Sequence, residues 1–141
     1  MSVDRLLEEG KVHRFEATRD EIKKSLGIAK RDLSLGEKIF EEDLDWCFSI
    51  TYNAILQACR AYMLSLGYRA ASSQGHKAVF QFMELMMEEP YKEMITYFDR
   101  ARKKRHRTMY DEVGLVSKGE AKELLQMAKG FIAEIEKRVM Q

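Results

Sequence analysis

Residues 43–67 read DLDWCFSITYNAILQACRAYMLSLG. Either Asp43 or Asp45 can cap a helix over this stretch, and Gly67 is suited to end it in a left-handed conformation. Apolar side chains lie on nearly every side of that helix, and a ridge of small residues permits neighbouring helices to approach closely. The ridge consists of Ala54, Ala58, Ala61 and Ser65. We therefore predict that this segment is the central helix of a bundle, or that a second subunit covers part of it.

Two capping boxes predict long helices before and after the central one. Residues 18–21 read TRDE and residues 117–120 read SKGE, so in each a hydroxyl residue precedes a glutamate by three positions. The hydroxyl and the carboxylate can then each accept a hydrogen bond from the backbone N–H of the other residue. Apolar residues follow both boxes with helical periodicity. The first stripe consists of Ile22, Leu26, Ala29, Leu33, Gly36 and Phe40, and the second of Ala121, Leu124, Leu125, Ala128, Phe131, Ile132, Ile135 and Val139.

Two further helices are expected between Gly67 and Gly114. Ser72 or Ser73 can begin the first of them, and Pro90, the one proline, ends it and suits the first turn of the next. No stretch of the chain alternates convincingly between apolar and polar residues with period two, so no strand is expected. We predict an all-α fold, a four- to five-helix up-and-down bundle.

The composition is that of an ordinary globular protein, with 45% hydrophobic and 33% charged residues in a chain of 141. We predict one domain over residues 1–141, with residues 18–141 as the bundle. Residues 1–17 are expected to form an N-terminal extension, a short amphipathic turn or helix ended by Gly10 and followed by an irregular lead-in. No apolar run approaches the roughly 20 residues that cross a bilayer, and the charged start is unlike a signal peptide. We therefore expect a cytoplasmic protein that does not bind membranes.

Neither the cysteines nor the histidines predict a covalent or metal site. Cys47 and Cys59 lie about 18 Å apart along one helix, too far to form a disulfide. They are interpreted as small buried hydrophobes in a reducing compartment. His13, His76 and His106 fall in separate segments with no Cys or carboxylate at ligand spacing. We therefore expect no metal and no cofactor.

The most concentrated charge lies in residues 100–107, which contain six Lys or Arg and no carboxylate. The chain as a whole is balanced, with 24 Lys and Arg against 23 Asp and Glu. A local cationic patch attracts polyanions to one place, and an aromatic residue follows it here. The alternative is a solvated helical turn stabilised by the macrodipole. The candidate binding residues are Arg100, Arg102, Lys103, Lys104, Arg105, Arg107 and Tyr110.

Two polar residues elsewhere, Asn53 and His76, are possible supports of such a site. Asn53 is embedded in the apolar central helix, where a structural hydrogen bond is the favoured interpretation and a ligand contact is the alternative. His76 falls in the first turn of the predicted third helix, where completing the helix cap is favoured over contributing to a site.

Several segments together carry a family resemblance. They are AKRDL at 29–33, YNAILQA at 52–58, RA at 60–61, GY at 67–68, GHK at 75–77, RARKKRHRTMY at 100–110 and the tail from 120 to 132. In order and spacing they resemble the HEPN superfamily, the higher-eukaryote and prokaryote nucleotide-binding domains, and within it the UPF0332-like branch. The resemblance implies a helical bundle that forms a homodimer, often encoded beside a minimal nucleotidyltransferase as a toxin-antitoxin-like pair.

The resemblance also implies a motif for RNA cleavage. Ribonuclease members present an Arg, a polar residue, a short spacer and a His at a dimer cleft, and they cleave RNA without metal. On this sequence the Arg is Arg105, the polar position is His106 rather than Asn, and the final position is Tyr110 rather than His. The chemistry needs an arginine to neutralise phosphorane charge and a group that moves a proton near neutral pH. A tyrosine is a poor base there.

Three functions are open from the residues and the resemblance. The first is a binding module that holds RNA or a nucleotide, with phosphates on Arg102 and Arg105 and a base on an aromatic ring. The second is a metal-independent endoribonuclease in which Arg105 stabilises charge and His106 or Tyr110 handles the proton. The third is an interaction subunit for a nucleotidyltransferase, with Tyr110 as an acceptor of transferred nucleotide. The first and third are favoured over the second.

Overall fold

The computed structural model describes residues 1–72 and 75–140. The helices in this part of the chain are α1 (Val3–Glu8), α2 (Arg19–Ile39), α3 (Leu44–Ser65), α4 (Gly75–Met86), α5 (Tyr91–Tyr110) and α6 (Lys118–Val139). The strands are β1 (Val12–Arg14) and β2 (Tyr68–Ala70). Ser73, one of the two caps predicted for α4, lies outside the described residues. The prediction of an all-α fold is confirmed, and no helix of the described chain is long and apolar enough to cross a membrane.

The predicted starts of α2, α3 and α6 are confirmed in detail, whereas Ser72 is not the cap of α4, because that helix begins three residues later at Gly75. Thr18 and Ser117 each accept a hydrogen bond from the N–H of the glutamate three residues on, and each glutamate accepts one in return. Of the two candidate caps for α3, it is Asp43 that accepts from the N–H of Trp46, at 3.0 Å. Asp45 instead accepts from the N–H of Gly114, at 2.7 Å, and ties the α5–α6 connection to the start of α3.

Helix α3 is the centre of the bundle and packs against α2, α4, α5 and α6. The short connections at 40–43 and 87–90 make α2 with α3, and α4 with α5, antiparallel neighbours. Helices α2 and α3 approach so closely that a Cβ added at Gly36 would lie 2.5 Å from the Thr51 Oγ1. The absence of a side chain at Gly36 therefore permits α2 to pack tightly on α3.

The two short strands correct the expectation that the chain contains none. Strand β1 pairs antiparallel with β2, with Val12 opposite Ala70 and Arg14 opposite Tyr68. Three residues are too few for a period-two pattern to be recognised, and the pairing depends on segments far apart in the sequence. Gly67, at φ +91°, makes the predicted left-handed turn from α3 into β2. The pair holds the N-terminal segment against the bundle, and Val12 is fully buried.

Candidate functional site

A cleft opens where the start of α4 meets the second half of α5. We call it the α4/α5 cleft; it has a volume of about 420 Å³ and is lined by Gly75, His76, Arg102, Arg105, His106 and Tyr110. A second concave region, the α2/α6 groove, has about 500 Å³ and is lined by Glu37, Phe40, Glu41, Lys118, Lys122, Leu125, Gln126 and Lys129. Among the described residues, the lining of the cleft contains no carboxylate, whereas that of the groove mixes both signs of charge.

Helical geometry divides the basic run between the cleft and the outer surface. Residues 102, 105, 106 and 110 fall on one face of α5, because three or four residues make one turn. Ala101 and Thr108 are buried against the bundle and lie next to Arg105 on the surface of the helix, four residues before it and three after it. Arg100, Lys103 and Arg107 are exposed and do not line the cleft. The structure thus brings four candidate residues of α5 together with His76 of α4, and the other cations of the run do not line the cleft.

Two cations of the run already have carboxylate partners. The Arg102 Nε donates to Asp99 at 2.9 Å, and the Lys104 Nζ donates to Glu120 at 2.8 Å. The hydrogen bond from Lys104 lowers the pKa of the Glu120 carboxyl below its ordinary value. Partly exposed pairs of this kind contribute about 0 to 1 kcal/mol. Arg102 lies in the cleft with its charge partly compensated, and Lys104 lies outside it.

Arg105 has a different environment. Its guanidinium carbon lies 5.5 Å from the centre of the Tyr52 ring, a cation-π distance. Its Nε is buried and has no hydrogen-bond partner among the described residues. A buried donor without an acceptor costs about 1 to 3 kcal/mol. Arg105 also lines the cleft and forms no ion pair with any carboxylate of the described residues, so its positive charge is uncompensated there.

His76 contacts a buried tyrosine of the central helix. Its Nδ1 lies 2.8 Å from the hydroxyl of Tyr52. Burial, followed by the positive charges of Arg60, Arg105 and Arg102, lowers the pKa of His76 to about 4. Burial is also the main cause that raises the pKa of Tyr52 well above its ordinary value. Both groups are therefore uncharged at neutral pH.

His106 and Tyr110 form an aromatic pair at the mouth of the cleft. Their ring centres are 4.8 Å apart, a contact that the spacing of four residues on α5 permits. The side chain of Tyr110 is 69% exposed, and that of His106 is exposed as well. Exposed rings beside cations offer a stacking surface for a nucleobase.

Asn53 is not part of the cleft. Its amide nitrogen donates to the Asp32 carboxylate at 2.7 Å, and Arg31 pairs with the same carboxylate at 2.9 Å. Asp32 is buried, so this hydrogen bond satisfies an otherwise costly charge. Asn53 therefore makes a structural hydrogen bond, the contact that was favoured for it.

Tyr52 is the functional residue that sequence reasoning missed. It is fully buried on α3, yet it contacts both His76 from α4 and Arg105 from α5. The available signal was chemical, because a tyrosine in a helix that is apolar on all sides needs a partner for its hydroxyl. Nothing in the local sequence indicates that the partner is 24 residues away.

Comparison with known proteins gives this site a family context. The model of the HEPN domain matches residues 22–138, which include the whole lining of the α4/α5 cleft. The chain belongs to the HEPN domain family. No curated protein matches it. The resemblance to HEPN proteins is therefore confirmed, while the UPF0332-like branch stays a prediction. Membership supports a function related to nucleotides or RNA in general.

Proposed function

We propose that this HEPN protein binds RNA or a nucleotide in the α4/α5 cleft. Phosphates lie against Arg102 and Arg105, and a base stacks on the ring of Tyr110. The observation that carries the proposal is Arg105, which lines the cleft and forms no ion pair with a carboxylate of the described residues. A phosphate oxygen is a strong acceptor for an arginine N–H.

Charge and size support this choice of ligand. The lining of the cleft has two arginines and two histidines and no acidic residue. Its volume of about 420 Å³ lies within the usual range for small-molecule sites. Cations that track a backbone beside an aromatic ring are the usual arrangement for single-stranded nucleic acid.

A second candidate function is metal-independent endoribonuclease activity. His106 lies in the same cleft as Arg105, which places a possible proton carrier beside a charge-stabilising group. His76 is a poor base at neutral pH, because the pKa of its imidazole is lowered to about 4. Binding remains the primary proposal, since cleavage would depend on His106, which does not stand at the final position of the family motif.

A homodimer is part of the proposal. A stripe along α3 is only half covered by the bundle and consists of Trp46, Ile50, Asn53, Gln57, Arg60 and Leu64. Trp46 is 51% exposed, which is unusual for so large an apolar side chain. A second copy against this stripe would cover it. A minimal nucleotidyltransferase, in a toxin-antitoxin-like pair, is the protein partner that the family suggests.

The test of RNA binding is fluorescence anisotropy with a labelled single-stranded oligoribonucleotide over a range of salt concentrations. The double variant Arg102→Ala/Arg105→Ala should bind more weakly, and the slope of log affinity against log salt should become shallower by roughly 0.7 for each lost phosphate contact. The matched control is Lys23→Ala/Lys24→Ala, which removes two exposed cations from α2.

Unchanged affinity and slope in the arginine double variant would place the site elsewhere. Incubation with total RNA in the presence of a chelator decides between binding and cleavage. Rapid cleavage by the wild type that is lost in His106→Ala would establish the endoribonuclease instead.

A further inference from the structure

Tyr52 links two residues of the α4/α5 cleft that come from different helices. Its hydroxyl is 2.8 Å from the Nδ1 of His76, and its ring lies under the guanidinium of Arg105. The ring centres of Tyr52 and His76 are 5.6 Å apart. Tyr52 itself is fully buried on the central helix, so its position is fixed by the core.

The direction of the hydrogen bond follows from the number of available acceptors. Among the described residues, the side-chain partner of the Tyr52 hydroxyl is His76. If Nδ1 carried the proton, the tyrosine O–H would be left buried without an acceptor, which is costly. The favourable arrangement has Tyr52 donating to Nδ1. The proton of the neutral imidazole is then on Nε2.

The charges around His76 keep it in this state. Arg60, Arg105 and Arg102 all oppose protonation of the imidazole, in addition to burial. With Nδ1 occupied by buried Tyr52, Nε2 is the nitrogen left for the cleft that His76 lines. His76 therefore offers a neutral N–H donor in a cleft that also contains cations. A ligand that binds among these cations is an anion, and it can accept a hydrogen bond from this N–H.

We propose that Tyr52 is the positioning residue of the α4/α5 cleft, holding His76 as the Nε2–H tautomer so that the imidazole donates a hydrogen bond to a phosphate oxygen of the ligand. This inference rests on the proposed function. The phosphate belongs either to an RNA strand or to a free nucleotide, since both present the same oxygens. The Tyr52 ring also packs against the guanidinium of Arg105. One buried side chain therefore contacts both of the residues that donate to phosphate, His76 and Arg105.

The first test is the tautomer itself, read by NMR of protein labelled with ¹⁵N in its histidines. The wild type at neutral pH should show His76 as the Nε2–H tautomer, with its signals assigned by their loss in His76→Gln. Tyr52→Phe keeps the ring but removes the hydroxyl, so its His76 should show a mixture of tautomers. An Nδ1–H tautomer in the wild type, or no change in Tyr52→Phe, overturns the proposal.

The second test is affinity for a labelled single-stranded oligoribonucleotide, with AMP measured in competition. His76→Ala should bind about tenfold more weakly, as expected for losing a hydrogen bond to a charged group. His76→Gln should retain most of the affinity, because its amide nitrogen takes the place of Nε2. Tyr52→Phe should lie between the wild type and His76→Ala.

The matched controls are His13→Ala on β1 and Tyr62→Phe on α3, both outside the cleft lining. If His76→Ala loses affinity for both probes, His76 binds a phosphate that a free nucleotide also presents. If it loses affinity for the oligoribonucleotide alone, His76 binds a phosphodiester of the RNA backbone. Either result supports the proposal. Wild-type affinity in His76→Ala overturns this inference but leaves the proposed function intact. Failure of the wild type to bind either probe overturns both.

Discussion

Cations line two concave regions of this molecule, the α4/α5 cleft and the α2/α6 groove, in different electrostatic settings. In the groove Lys118 pairs with Glu41 at 3.6 Å and lies 5.7 Å from the centre of the Phe40 ring. In the cleft Arg105 has a buried Nε with no partner among the described residues. The number of cations therefore does not identify an anion site. We propose that a better indicator of an anion site is a positive charge that the fold has partly removed from water without supplying a counter-charge.

The largest expected effect that separates the two regions is that of Arg105→Ala. It should weaken RNA binding by about 2 kcal/mol, because charge-assisted hydrogen bonds are the strong ones. Lys122→Ala, which removes a cation from the α2/α6 groove, should change affinity by less than about 0.5 kcal/mol. Anisotropy titrations of the two variants at one salt concentration measure both values. Equal losses would mean that RNA binds through diffuse charge rather than through the cleft.

The second effect concerns pH, because the lining of the cleft includes the half-buried His76 and the lining of the groove includes no histidine. The pKa of His76 is about 4 in the folded protein, below the usual value of about 6.5 for an unfolded chain. Between these values the unfolded state binds more protons, so the stability contribution is complete above about pH 6.5 and is lost as the pH falls towards 4.

His76 is half-buried, so we expect the wild type to lose only about 1 kcal/mol of unfolding free energy through this group between pH 7 and pH 5. Urea unfolding at both pH values measures it. His76→Gln should lack this component, while Lys122→Ala should keep the pH dependence of the wild type. An identical pH dependence in wild type and His76→Gln would contradict the low pKa.

The helix starts were predicted from the sequence and the pairing of the two strands was not, and this difference has a physical reason. Capping boxes and apolar stripes depend on residues three or four apart, so the helix starts at Thr18 and Ser117 were predicted correctly. The pairing of β1 with β2 joins residues more than fifty positions apart and left no local pattern.

The candidate site shows the same division. The basic run on α5 is local and was recognised, whereas its sorting into a cleft face and an outer face needed the position of α4. The contact of His76 with Tyr52 depends on how α3 and α4 pack, so the sequence suggested a helix cap instead. Asp45 likewise was predicted as a possible cap, and its hydrogen bond to Gly114 depends on where the α5–α6 connection runs.

The third effect is that of Tyr110→Phe at the mouth of the cleft. The ring and most of the stacking remain, but the phenol can no longer donate to a phosphate oxygen, so binding should weaken by about 1 kcal/mol. Tyr110→Ala should lose more, because stacking of a base on an aromatic ring contributes about 1 to 3 kcal/mol. Anisotropy measures both variants. If Tyr110→Phe abolishes RNA cleavage without changing binding, the tyrosine is catalytic.

The smallest effect is expected for Lys104→Ala, which lies in the basic run but outside the cleft lining. Its ammonium group is already paired with Glu120 at 2.8 Å, much as Lys118 in the groove is paired with Glu41. Breaking either surface pair should change the free energy of unfolding by less than about 1 kcal/mol and RNA affinity by less than about 0.5 kcal/mol. Urea unfolding and anisotropy of Lys104→Ala and Lys118→Ala provide both values. Lys104→Ala could instead lose as much RNA affinity as Arg105→Ala. That result would show that a cation with its own carboxylate partner contributes as much to binding as a cation without one. The binding surface would then extend around α5 beyond the cleft.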